Sequence, residues 1–75
     1  MKSNLRITKK TPVKAKLYGN GKILSHINDS GFRGREAVID ELIRRVPFYS
    51  GRTVEYMIED AGTGDYVTGE RKVNK

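Results

Sequence analysis

Lys2, Arg6, Lys9, Lys10, Lys14, Lys16 and Lys22 all precede the first acidic residue, Asp29. The chemistry open to such a set is electrostatic attachment to a polyanion, since no local acid neutralises it. The remainder is close to balanced and slightly acidic, so this opening stretch carries more than the whole net charge of +6. Tyr18 stands among the cations. A basic surface holding an aromatic ring contacts phosphates by charge and bases by stacking. Arg6, Lys9, Lys10, Lys14, Lys16, Tyr18 and Lys22 are therefore the candidate contacts to a nucleic acid, DNA or RNA. A solvated face made basic for solubility, and to discourage edge-to-edge aggregation, is the plainer explanation of the same residues.

Gly31-Phe32-Arg33-Gly34-Arg35 leads into an expected helix. Arg33 and Arg35 beside free N–H groups at a helix start form a secondary pair of phosphate contacts. A flexible loop in which Phe32 packs on the core explains the segment more simply. It is neither a Walker motif, lacking Gly-Lys-Ser/Thr, nor a dinucleotide fingerprint.

Catalytic chemistry has little to build on. His26 is the single histidine. It could join Asp29, Tyr18 or nearby lysines as a small ribonuclease site, but no second histidine or suggestive carboxylate pair supports it, and an ordinary strand-end role is expected. Ser25, Ser30 and Ser50 flank turns, where hydroxyls make local backbone bonds. The absence of cysteine removes disulfides and thiolate metal sites, and one histidine does not make a zinc site. No catalytic residue, metal or cofactor is expected.

The elements that position these residues follow from period. Val13, Ala15 and Leu17 alternate with Lys14, Lys16 and Tyr18, the mark of a half-buried strand. Gly19-Asn20-Gly21 turns the chain, and Lys22 to Ile27 returns. Leu5 and Ile7 alternate with Arg6 and Thr8, predicting a short extra N-terminal strand or an extension interrupted near Pro12. Val38, Ile39, Leu42, Ile43 and Val46 make one helical stripe, with Asp40–Arg44 and Glu41–Arg45 as acid-before-base pairs four apart. Pro47 ends the helix near Val46. After a Ser50-Gly51 turn, Val54, Tyr56 and Ile58 alternate with Glu55, Met57 and Glu59. Ala61 to Gly64 then loops, and Asp65 returns to about Lys72 or Val73.

The order β-β-α-β-β predicts one α+β domain over residues 1–75: a two-layer sandwich with a mostly antiparallel four-stranded sheet and one helix packed on one face. Seventy-five residues give a marginal core, which dimerisation can support.

The C-terminal hairpin is acidic, with Glu55, Glu59, Asp60, Asp65 and Glu70. If its strands share the open face with Lys14 and Lys16, the footprint is largely cancelled. Basic and acidic halves could also face one another across a homodimer, and an exposed Met57 or Tyr66 would add to a protein-binding patch. The expected function is a small, non-enzymatic nucleic-acid-binding or regulatory module acting through the basic hairpin. The competing expectation is a protein-interaction module that docks on an acidic protein surface, modulates a larger enzyme or forms a homodimer. Size and composition suit the compact proteins that phages and mobile elements encode. With no apolar h-region and no membrane span in the sequence, a cytoplasmic setting without membrane contact is expected.

Overall fold

The computed structural model describes residues 5–46 and 51–73. Four strands, β1 (Val13–Gly19), β2 (Lys22–Asp29), β3 (Thr53–Asp60) and β4 (Tyr66–Lys72), surround one helix, α1 (Arg35–Arg44), in chain order β1-β2-α1-β3-β4. The strands form a single antiparallel sheet in the order β2-β1-β3-β4. The α+β architecture is the one the periodicities predict. The strand order adds what they do not: β1 lies at the centre of the sheet, between its own hairpin partner and β3.

One face of the sheet is apolar because every second residue of each central strand is. Val13, Ala15 and Leu17 of β1 and Val54 and Ile58 of β3 are buried against Val38, Ile39 and Leu42 of α1. Each fully buried aliphatic side chain contributes about 1.5–3 kcal/mol of transfer free energy, so this layer dominates stability.

The helix is pinned at both ends to the two edge strands. At its start, Arg71 of β4 donates from both terminal nitrogens to the Glu36 carboxylate, at 2.9 Å each. At its end, the Ser25 hydroxyl of β2 donates to the Leu42 carbonyl at 3.0 Å, a second bond to an acceptor that also takes the Arg45 N–H. Arg45 Nη1 donates to the His26 carbonyl at 3.0 Å. The Ser25 bond spans 17 residues, where a local one was expected.

Three other local expectations are corrected. Leu5 and Ile7 belong to no strand; they are buried in the core, at 7% and 4% exposure, so their alternation records burial without pairing. Helix α1 stops at Arg44, with Arg45 and Val46 closing the end through bonds to Leu42 and Ile43. Glu41 takes both Arg44 and Arg45, so the Asp40–Arg44 pair does not form. Pro47 and Ser50 lie outside the described residues.

On β4, Gly69 lies under the Tyr56 ring. A Cβ there would stand 2.5 Å from Tyr56 Oη and 2.7 Å from Cζ. The aromatic closes the apolar layer over β4 only because that position has no side chain.

Candidate interaction surfaces

Cross-strand partners share a face, so the register fixes the company each lysine keeps. Lys14 lies between Asn28 of β2 and Glu59 of β3. Lys16 lies between His26 and Met57, and Tyr18 between Ile23 and Glu55. Outward again on β4, Tyr66 pairs with Glu59, Thr68 with Met57 and Glu70 with Glu55. Lys72, opposite Thr53, completes the face. Three lysines and three glutamates therefore share the open side of the sheet.

This is the interleaved arrangement, and no continuous basic surface forms. Strands lie about 4.8 Å apart, so the β1 lysine column runs directly beside the β3 glutamate column. Glu55 and Glu70 stand directly opposite, a like-charge pair that adds negative potential beside Tyr18. A phosphate chain laid across this face would meet as many acids as bases. The face also holds half-buried Met57 and two of the molecule's exposed large apolar side chains, Ile23 at 53% and Tyr66 at 58%.

The two edges differ. A register shift between Leu17 and Tyr18 bulges β2, which twists its edge and blunts further pairing. The β3–β4 register runs without a shift.

The remaining candidate contacts lie elsewhere. Lys22 sits at the hairpin turn, opposite Gly19. Lys9 and Lys10 lie at the other end of β1, on a turn that Thr8 and Thr11 tie. The Thr8 N–H donates to Thr11 Oγ1 at 2.9 Å, the Thr11 N–H to the Thr8 carbonyl at 2.9 Å, and the Lys10 N–H to Thr8 Oγ1 at 3.3 Å. Thr11 is buried, so the turn is anchored in the fold. The Gly31 N–H donates to the Lys9 carbonyl at 3.0 Å, joining the turn to the loop that carries Arg33. Lys9, Lys10 and Arg33 line one hollow with Ile7 and Thr8. Arg6 is exposed just ahead of Ile7, and Arg35 opens the helix. The nine candidates thus fall in three places: Lys14, Lys16 and Tyr18 on the open sheet face, Lys22 at the hairpin turn, and Arg6, Lys9, Lys10, Arg33 and Arg35 in the segments ahead of β1 and at the start of α1.

Electrostatic commitments sharpen the division. Arg44 and Arg45 are engaged by Glu41, and Arg71 by Glu36. The Arg71 hydrogen bonds hold the Glu36 carboxyl below its ordinary value of 4.5, with the nearby Arg35 charge adding to the effect, and they raise Arg71 in turn. Lys9, Lys10, Arg33 and Arg35 form no salt bridge among the described residues. Nor does any group of three or more metal-ligating side chains assemble among those residues, and none of their helices is long and apolar enough to cross a membrane.

No family model, curated protein or solved structure matches the chain.

Sequence reasoning named the lysines of this face and raised the acids as a condition. It left Met57 and Glu70 conditional and did not place His26 in the same patch. The missing information was the β1–β3 pairing, which joins segments more than 30 residues apart and has no local signal.

Proposed function

We propose that this chain is a non-enzymatic protein-docking module that works through the open face of its sheet. One observation carries the reading: a lysine column on β1 lies immediately beside a glutamate column on β3, with Tyr18, Met57, Ile23 and Tyr66 among and around them. Protein surfaces carry both signs of charge around apolar anchors, and complementary stripes fix register and orientation. A polyanion offers no partner to Glu55, Glu59 and Glu70.

The two stripes are reciprocal, so the occupant is a second copy of this chain. A two-fold axis parallel to the strands and lying between β1 and β3 places β1 of one copy over β3 of the other. Lys14 then faces the partner's Glu59, and Tyr18 faces the partner's Glu55. The same relation holds in reverse, as an isologous interface requires.

Sedimentation over a range of concentrations tests this. The wild-type chain is expected to reach a dimer. Glu59→Lys shifts the population to monomer by placing lysine against lysine, and Lys14→Glu together with Glu59→Lys restores the dimer. A wild-type monomer at every concentration, or dimerisation indifferent to Glu59→Lys, overturns the reading.

A further inference from the structure

At the end of the molecule where β1 begins, Asp29 and Asp60 stand opposite Val13, but neither lines the basic hollow formed there. Lys9 and Lys10, from the N-terminal turn, and Arg33, from the loop before α1, rim a shallow hollow of about 400 Å³ with Ile7 and Thr8. None of the described residues that line it is acidic. The two loops are held together by the Gly31–Lys9 backbone bond, and the lysine turn by its threonine bonds. The cations are thus presented by fixed backbone, unlike those of a loose tail, and less order has to be gained on binding.

We propose that this hollow is a binding site for the phosphodiester backbone of a single-stranded nucleic acid. The rim offers hydrogen-bond donors and positive charge only. An acidic protein surface also brings cations, and these would meet no counter-charge in the lining of the hollow. A phosphate chain brings negative charge alone. The Arg33 guanidinium can fork onto one phosphate while the two lysines act as point charges on its neighbours. Arg6 and Arg35, exposed in the adjoining segments, extend the positive field along a longer strand. The site is separate from the open sheet face, and the inference does not depend on dimerisation.

The test is a fluorescence-anisotropy titration of a mixed-sequence DNA strand of about 20 nucleotides at about 50 mM salt, repeated at higher salt. Three proteins are compared: wild type, the Lys9→Ala/Lys10→Ala/Arg33→Ala variant and the Lys14→Ala/Lys16→Ala variant. Circular dichroism melting checks that all three are folded. Wild type is expected to bind with a logarithmic salt slope that the triple variant reduces by about 2, with affinity falling at least tenfold. Titrated at concentrations where sedimentation shows all three proteins monomeric, the Lys14/Lys16 variant is expected to stay within about threefold of wild type. No wild-type binding at low salt, an unaffected triple variant, or an equal loss in the Lys14/Lys16 variant overturns the proposal. Competition with polyglutamate of matched charge as effective as with unlabelled DNA also overturns it, and assigns the hollow to acidic protein.

Discussion

Lys10 and Lys14 are four residues apart, yet they stand in opposite electrostatic surroundings. Lys14 has Glu59 across the strand pair, while Lys10 shares an acid-free hollow with Lys9 and Arg33. Along the chain the two are equivalent members of one basic run. In the folded molecule the central position of β1 hands its lysines to the acidic strand β3, and the turn ahead of β1 escapes that neutralisation. A run of like charge becomes a footprint only where topology keeps the opposite sign away.

The largest effect should come from removing the difference between the regions. Glu55→Lys with Glu59→Lys makes the columns of β1 and β3 continuously positive. DNA affinity at about 50 mM salt is then expected to rise on the order of 50-fold, as new phosphate contacts become available. The same titration with no gain would show that interleaved acids are not what silences Lys14 and Lys16.

A smaller effect should follow from loosening the loop cluster alone. Gly31 has φ of 101°, a conformation that alanine adopts only with strain of about 1–3 kcal/mol. Gly31→Ala is expected to lower stability by up to that amount in urea denaturation. Because the loop moves away from Lys9, DNA affinity should fall about two- to fivefold. Dimerisation through the sheet should be unchanged. Loss of dimerisation alongside DNA binding would mean that the two surfaces are not independent.

How much of this was legible in the sequence divides along the same line. The alternation of Val13, Ala15 and Leu17 with Lys14, Lys16 and Tyr18 gave the strand and its faces, since period two is a local property. The stripe from Val38 to Leu42 gave the helix in the same way. The order β2-β1-β3-β4 was not legible, because an antiparallel hairpin can lie on either side of its neighbour without changing its own pattern. The charge of the open face depended on that order. Burial of Leu5 and Ile7 without a strand was hidden for a related reason: alternation records which side chains turn inward, whatever the backbone bonds to. The hollow was out of reach because it joins Lys9 to Arg33 through one backbone bond between two loops.

The smallest effect concerns the brace between helix and sheet. The depressed Glu36 carboxyl contributes stability that is fully present above its ordinary value of 4.5 and is lost as pH falls through its lower folded value. With Glu36 mostly exposed, at 70%, Glu36→Gln should cost about 0.5 kcal/mol at neutral pH. The difference from wild type should vanish in acid. Urea midpoints at pH 7 and pH 3 check this, and an undiminished difference at pH 3 would show that the ion pair is not its source.

The central claim is that the anion-binding surface lies at the loop end and not on the basic strand. Its most direct test is a heteronuclear NMR titration of the ¹⁵N-labelled protein with a short single-stranded oligonucleotide. The amide resonances of Lys9, Lys10, Gly31 and Arg33 should shift progressively, while those of Lys14, Lys16 and Tyr18 hold their positions. Shifts concentrated on Lys14, Lys16 and Tyr18, with the loop residues unmoved, would contradict the account.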